Sequence, residues 1–206
     1  MYTLHYAPGS SSMAPHTVLE ELGVPYQLAR VTLEDGKLAD PRFLEINPAG
    51  KVPALVMGDT VIGESAAICM FLADHHPDGK LAPPAGDRGR GSYYQWMSFL
   101  TNTLHTAFMR LYFSARYSTD ANHADAIKAK AAEDVAAGWR LVDTQLGRTT
   151  YLLGDTVTAP DLFLHMLYAW LEEPLDPASY PNVRRWGELV AARPAVQRML
   201  AQNEMA

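Results

Sequence analysis

The sequence contains a single cysteine, Cys69, among its 206 residues, which excludes an internal disulfide and a metal cluster built on cysteines. No apolar run approaches the roughly 18 residues that a transmembrane helix needs. The first residues lack the basic and then apolar build of a signal peptide. Basic residues number 17 and acidic residues 23, so the net charge of −6 argues against nucleic acid or an anionic membrane surface as a partner. We therefore expect a cytoplasmic protein.

The chain has two parts that differ in composition and in the length of their uninterrupted segments. The first part consists of short segments broken by turn residues, whereas the second is rich in alanine and leucine and has few helix breakers. Three prolines and two glycines fall within residues 77–86, a composition typical of a linker. We predict an α/β domain over residues 1–77, a linker over 78–86 and an all-α domain over 87–206.

The predicted elements of the first part follow the order β-α-β-α-β-β-α. They are strands over 2–6 and 26–33, helices over 14–22, 40–46 and 65–75, and a hairpin over 52–62. The β-α-β start indicates parallel pairing, and the hairpin adds antiparallel strands. The second part is predicted as helices over 87–118, 122–147, 159–172, 182–192 and 195–203.

The first candidate site is the turn PGSSSMAPH at residues 8–16, between a predicted strand and a predicted helix. Pro15 suits the first turn of a helix because it has no N–H to leave unpaired. The free N–H groups at the helix start, together with the hydroxyls of Ser11 and Ser12, are able to hold an anion such as a thiolate. The common alternative is that serines before a helix only cap it.

Two further candidates lie at element ends in the same domain. A cis Val52–Pro53 bond would turn the N–H and C=O of Val52 outward, where an extended peptide would pair with them. The residues alone favour a trans bond, because cis is the minority form of X–Pro bonds. At the next helix start, backbone donors near Ser65 are able to bind a ligand carboxylate while Glu64 binds its ammonium group. The alternative there is a solvated acidic first turn.

The first long helix carries a polar stripe on an otherwise apolar surface. The members of this stripe follow at i, i+4, i+7 and i+11, and they are Ser98, Asn102, His105 and Met109. That spacing places them on one face of an α-helix. His105 is able to donate a hydrogen bond or to accept a proton near neutral pH. The alternatives are a stripe that faces solvent and a histidine held in the core.

Together these motifs resemble those of the glutathione S-transferase family. The run NPAGKVPAL at 47–55, followed by GES at 63–65, is close to the family's typical sequence. VTAPD at 157–161 resembles its N-capping box, in which Thr158 caps the helix and the side chain of Asp161 bonds back to the backbone N–H of Thr158. The resemblance spans the whole chain and implies an α/β, thioredoxin-like N-terminal domain followed by an all-α helical bundle. The first motif and LHTAF at 104–108 are most like the bacterial beta class, with Ser11 at the usual cysteine position.

The resemblance implies a transferase that conjugates the thiol of reduced glutathione to small hydrophobic electrophiles in detoxification. Glutathione would lie along Val52, with its γ-glutamyl end at Glu64 and Ser65. Its sulfur would rest near Ser11 and Ser12, of which Ser12 is slightly favoured. The implied catalytic residues are Ser11, Ser12 and His105, and the implied glutathione-binding residues are Lys51, Val52, Pro53, Glu64, Ser65, Ser98 and Asn102. The resemblance implies a homodimer and no metal.

Other functions fit the same scaffold: a glutathione-dependent isomerase or dehalogenase, a non-catalytic carrier of glutathione or of a hydrophobic ligand, and a module kept for dimerisation. Serine cannot form a mixed disulfide, so thiol–disulfide exchange through Ser11 is not expected. Cys69 lies in an apolar helical run and is expected to be buried and inert. Four aromatic residues are candidates for an electrophile pocket, although core positions are commoner for such residues: Tyr112, Tyr117, Tyr168 and Trp170.

Overall fold

The N-terminal part of the chain folds into a mixed sheet flanked by helices in a computed structural model, which describes residues 1–34, 37–38, 41–171 and 179–203. Its strands are β1 Tyr2–Tyr6, β2 Tyr26–Arg30, β3 Leu33–Glu34, β4 Lys37–Leu38, β5 Ala54–Met57 and β6 Thr60–Gly63. Its helices are α1 Met13–Leu22, α2 Phe43–Ile46 and α3 Ser65–His75. The predicted element order is confirmed, apart from the added β3 and β4.

Four strands form the main sheet in the order β2-β1-β5-β6. β1 pairs with β2 in parallel, and β5 pairs antiparallel with both β1 and β6, so the predicted parallel start and hairpin are confirmed. The short antiparallel pair of β3 and β4 was not predicted. Strands of two residues are too short to show the alternation of polar and apolar positions on which strand prediction depends.

Local sequence explains where α1 begins and ends. Gly23 follows the helix with φ +64°, a left-handed conformation that glycine adopts without a steric penalty, and its N–H donates to the carbonyl of Leu19 at 3.1 Å. The alternation of β1 buries Leu4 completely between half-buried neighbours. The turn between β1 and α1 is therefore held at both ends by buried, regular structure.

The second part of the chain is helical. Its α-helices are α4 Gly89–Phe99, α5 Thr106–Tyr112, α6 Ala124–Leu146, α7 Ala159–Ala169, α8 Pro181–Ala191 and α9 Pro194–Gln202. A π-helical segment, Leu100–His105, joins α4 to α5. The long helix predicted over 87–118 is thus an interrupted helix that ends at Tyr112. The predicted bounds at residues 40 and 172 lie outside the described residues.

The predicted capping box at the start of α7 is confirmed. The carboxylate of Asp161 accepts hydrogen bonds from the N–H of Thr158 at 2.9 Å and from its hydroxyl at 2.8 Å. The same buried carboxylate accepts from the N–H of Leu152 at 2.9 Å and from the indole of Trp186 at 3.1 Å. This element fixes the start of a buried helix and has no opening for a ligand.

Both parts share one hydrophobic core. Leu81, in the predicted linker, is buried, and its carbonyl accepts from the N–H of Ala159 at 2.8 Å. The helix α1 packs against α3, α7 and α9. Two polar contacts also join α1 to the C-terminal end of the chain. Nδ2 of Asn203 lies 2.9 Å from Nδ1 of His16, and Arg193 forms an ion pair with Glu21. The two parts are therefore fixed relative to each other.

None of the described helices is long and apolar enough to cross a membrane. Within the described ranges, no group of three histidine, cysteine or acidic residues is arranged to hold a metal ion. Cys69 is completely buried, as predicted, and burial raises the pKa of its thiol.

Candidate active site

The turn from Ala7 to Ser10 brings the chain from β1 to α1. The N–H of Ser10 donates to the carbonyl of Ala7 at 3.2 Å, and Gly9 has φ +66°. Proline at the second position and a glycine with positive φ at the third are typical of a type II turn. Pro8 and Gly9 therefore set the direction in which the three following serines enter the helix.

The hydroxyl of Ser12 is closed off inside this turn. Ser12 has no exposed surface, and its hydroxyl donates to the carbonyl of Ala7 at 3.0 Å. The Ser10 hydroxyl lies 2.7 Å from both that carbonyl and the Ser12 hydroxyl. These contacts occupy the Ser12 hydrogen and leave the hydroxyl without access to a ligand.

Ser11 is the serine of this turn that is open to a ligand. It is half-buried, and among the described residues its hydroxyl makes a single hydrogen bond, a long one of 3.4 Å to the carbonyl of Val52. Its backbone N–H takes part in no hydrogen bond with the residues that the structure describes. The first turn of α1 holds no acidic side chain, so the positive end of the helix dipole is not neutralised there. Ser11 thus offers two donors at an anion-binding end of a helix.

The bond between Val52 and Pro53 is cis, which agrees with the family resemblance and not with the commoner trans form that the residues alone favoured. Val52 is half-buried and Pro53 is buried at the start of β5. Asn47 stabilises the chain just before this bond, because its side-chain amide donates to the carbonyl of Lys51 at 2.7 Å. The Lys51 side chain is exposed beside the Val52 edge.

Glu64 and Ser65 lie at the start of α3. Glu64 has a backbone φ of +63°, a value that residues other than glycine rarely adopt. Backbone conformations of this kind are enriched at ligand-binding sites. The Glu64 side chain is exposed, and Ser65, the first helical residue, is buried. An exposed carboxylate thus stands next to the free N–H groups of a helix start, which is an arrangement suited to a ligand with both an ammonium and a carboxylate group.

His105 is the last residue of the π-helical segment. Its ring lies 5.4 Å from the ring of Trp170 and 6.2 Å from that of Phe163, measured between centroids. Burial lowers the pKa of His105 to about 4, since the charged form loses its hydration there. The imidazole is therefore neutral at pH 7 and is suited to hydrogen bonding more than to taking up a proton.

The predicted polar stripe of the first long helix crosses the π-helical segment Leu100–His105. Ser98 and Asn102 are exposed, and neither side chain makes a hydrogen bond to a residue in the described part of the N-terminal domain. His105 is linked to the serine turn through Trp170, whose ring it contacts and whose indole N–H donates to the carbonyl of Gly9. The prediction that the residues of the stripe share one face assumed α-helical spacing, and the π-helical segment has wider turns than an α-helix.

Trp170 has a larger part in the site than sequence reasoning gave it. Its indole N–H donates to the carbonyl of Gly9 at 2.9 Å, so a residue of the helical domain is bonded to the serine turn. The contact of Asn47 was also missed, since this residue was interpreted only as part of the family motif at 47–55. A tryptophan and an asparagine are common in cores and turns, and their sequence neighbours give no sign of these contacts.

Two family models match the chain: the N-terminal domain of glutathione S-transferases over residues 10–75 and their C-terminal domain over residues 100–194. The chain belongs to the glutathione S-transferase family. The predicted thioredoxin-like domain followed by a helical domain is confirmed as the fold of these enzymes.

Known glutathione S-transferases match over most of the chain. The protein named glutathione S-transferase GST-4.5 of Xanthomonas campestris is 32% identical over 171 residues, which is 81% of each chain. The structure of a sphingomonad glutathione S-transferase complexed with glutathione has 32% identity and a TM-score of 0.87, covering 99% of this chain and all of that one. A beta-class transferase of Sphingomonas chungbukensis has 29% identity and a TM-score of 0.87, with the same coverage.

Proposed function

We propose that this glutathione S-transferase conjugates reduced glutathione to small hydrophobic electrophiles, and that it is a beta-like member with serine in place of the usual cysteine. The observation that carries the proposal is Ser11 at the start of α1, whose N–H makes no hydrogen bond within the described residues and whose hydroxyl makes only a long one, 3.4 Å to the carbonyl of Val52. A sulfur placed between that edge and the helix start would lie in a field that favours a thiolate.

Glutathione would bind along the edge of the sheet at Val52 and Pro53, with Lys51 beside it. Its γ-glutamyl carboxylate would accept hydrogen bonds at the start of α3 near Ser65, and its ammonium group would pair with Glu64. The support is the exposed Glu64 carboxylate beside free helix-start donors. Ser98 and Asn102 are exposed on the first long helix, and we retain them as glutathione contacts of smaller weight.

Ser11 would stabilise the thiolate, and this is a change from the slight preference for Ser12. The reason is geometric, because the Ser12 hydroxyl is fully buried and already bonded to Ala7. Ser12 would keep the turn rigid. Neutral His105 would assist as a hydrogen-bond partner on the side of the helical domain.

The reaction would be a nucleophilic attack. The glutathione thiolate forms a bond to an electrophilic carbon, and the leaving group departs with its electron pair or a double bond takes up the charge. Holding both reactants in one site and raising the thiolate population would supply most of the rate. The aromatic surface on the helical side supports an apolar electrophile, because Tyr112 is exposed, Trp170 is half-buried, and both contact the buried ring of Phe108.

An assay with reduced glutathione and an activated aryl halide tests this function. We expect a thioether product that requires both glutathione and the protein, and a strong decrease in rate for Ser11→Ala. Glutathione binding without a product from any of a panel of aryl halides, epoxides and enones would contradict a transferase and favour a carrier. Halide release with glutathione regenerated would favour a dehalogenase.

The protein would act as a homodimer in which the α/β domain of one subunit meets the first two long helices of the other. Exposed apolar side chains on those elements support the arrangement: Val61 on β6, Tyr94 on α4 and Leu141 on α6. Light scattering at micromolar concentration should give twice the chain mass of 22.7 kDa. A species of 22.7 kDa alone would refute the dimer.

A further inference from the structure

Trp170 contacts both sides of the candidate active site. On the side of the α/β domain, its indole N–H donates to the carbonyl of Gly9 at 2.9 Å. On the side of the helical domain, its ring lies 5.4 Å from that of His105 and 6.3 Å from that of Phe108, and its own carbonyl accepts from the hydroxyl of Tyr112. One residue thus joins the serine turn to three successive turns of the interrupted helix, through its side chain at His105 and Phe108 and through its backbone carbonyl at Tyr112.

The bond to Gly9 is one of two hydrogen bonds that hold the Gly9–Ser10 peptide. The Gly9–Ser10 peptide has two polar groups, and its N–H already donates to the carbonyl of Ala7 at 3.2 Å. Its C=O has Trp170 as its partner. Because glycine tolerates φ of either sign, a peptide next to Gly9 rotates easily once one of its two bonds is lost. Ser11 follows directly, so the direction of its N–H and hydroxyl depends on this peptide.

The attachment of the two domains does not rest on Trp170. The ion pair of Arg193 with Glu21 and the contact of Asn203 with His16 hold α9 against α1. The helix α7 also packs on α1 and α3. Loss of the indole N–H should therefore leave the domain arrangement in place and act locally, on the turn.

We propose that Trp170 is a positioning residue of the transferase. Its N–H holds the Gly9–Ser10 peptide so that the donors of Ser11 point at the glutathione sulfur, and its ring holds His105 on the opposite side. This inference rests on the proposed function, since the donors need a thiolate to stabilise. Trp170 itself does not touch the reacting atoms in this account.

The test compares Trp170→Phe with Trp186→Phe. Both variants keep an aromatic ring and lose one indole hydrogen bond, since the Trp186 indole donates to the buried carboxylate of Asp161. Trp186 is buried in α8 and has no part in the proposed site. A purely structural effect would appear in both variants as a lower melting temperature.

We expect Trp170→Phe to raise the pKa of the bound glutathione thiol by about 0.5 to 1 unit, as loss of one neutral hydrogen bond implies. At a pH below the thiol pKa, kcat should decrease by a similar factor of about 3 to 10, and KM for glutathione should stay within about two-fold. Trp186→Phe should leave the thiol pKa at the parent value. Trp170→His keeps a ring N–H and should recover part of the shift.

The possible outcomes separate this inference from the function on which it rests. If the parent conjugates glutathione and the two phenylalanine variants titrate alike, Trp170 does not position the turn, and the proposed function stands. Equal behaviour of Trp170→Phe and Trp170→His would also overturn the role of the N–H, and the histidine variant decides the question if the phenylalanine variant does not fold. A parent without glutathione-dependent turnover would overturn both proposals.

Discussion

The first turns of α1 and α7 differ in whether they contain an acidic side chain. Both helices begin with backbone N–H groups that have no partner within the helix. At α7, the carboxylate of Asp161 lies inside the fold and accepts four hydrogen bonds. At α1, the first turn has no acidic residue, and the hydroxyl of Ser11 lies 3.4 Å from the carbonyl of Val52.

The difference shows what makes a helix start structural and what makes it a site. A helix start that carries its own anion has the positive end of its dipole compensated from within the fold, and this contributes to stability. A helix start without one has capacity for an anion from outside, and in this family fold that anion would be the glutathione thiolate. Stability should therefore be most sensitive to substitutions at α7, and the thiol pKa should be most sensitive to substitutions at α1.

The largest effect on stability is expected for Asp161→Ala. The substitution leaves the buried donors of Thr158, Leu152 and Trp186 without an acceptor, so the free energy of unfolding should fall by about 3 to 5 kcal/mol. Urea unfolding followed by circular dichroism measures this loss. Asp155→Ala, at an exposed position near the same helix, is the matched control and should change stability by less than about 0.5 kcal/mol. Similar losses for both variants would contradict the structural role of the box.

Next in size is the gain of a covalent adduct in Ser11→Cys. The introduced thiolate should attack the disulfide of oxidised glutathione, form a protein–glutathione disulfide and release one reduced glutathione. Mass spectrometry should show one glutathionyl group per chain, removed by dithiothreitol. The parent is the control, since its sole thiol, Cys69, is buried. An unmodified variant that still binds reduced glutathione would place the sulfur away from residue 11.

A smaller effect is expected for Ser12→Ala. It removes a buried hydrogen bond to the carbonyl of Ala7, so stability should fall by about 1 kcal/mol. Thermal unfolding measures the change. The control is Ser92→Ala, which alters an exposed position in α4 and should be neutral or slightly stabilising, since alanine favours helices. A Ser12→Ala protein as stable as the parent would show that the Ser12 hydroxyl does not hold the turn.

The smallest effect is expected for Cys69→Ala, whose transferase activity should stay within about two-fold of the parent because a buried thiol with a raised pKa is a poor nucleophile. Steady-state rates at saturating glutathione measure it. Loss of activity with an unchanged melting curve would place Cys69 in the mechanism.

Sequence reasoning was most successful where a rule is local. Gly23 ends α1 and Asp161 completes the capping box, and both follow from residues within one helical turn. The site roles of the serine turn and of His105 stay predictions, which the experiments on Ser11 and Trp170 test. Sequence reasoning failed where several elements meet, because burial of Ser12 and the bond of Trp170 to Gly9 depend on distant parts of the chain. The π-helical segment was missed because its residues have ordinary helix-forming character.

The most direct test of the account is the pKa of the glutathione thiol bound to the parent, Ser11→Ala and Ser12→Ala, followed by thiolate absorbance against pH. The parent should hold the pKa below that of free glutathione. Ser11→Ala should raise it by roughly one to two units, the effect of losing a hydrogen bond to a charged group, and Ser12→Ala should stay near the parent. A Ser11→Ala protein that titrates like the parent, or a larger shift in Ser12→Ala, would contradict the claim that the open start of α1 stabilises the thiolate through Ser11.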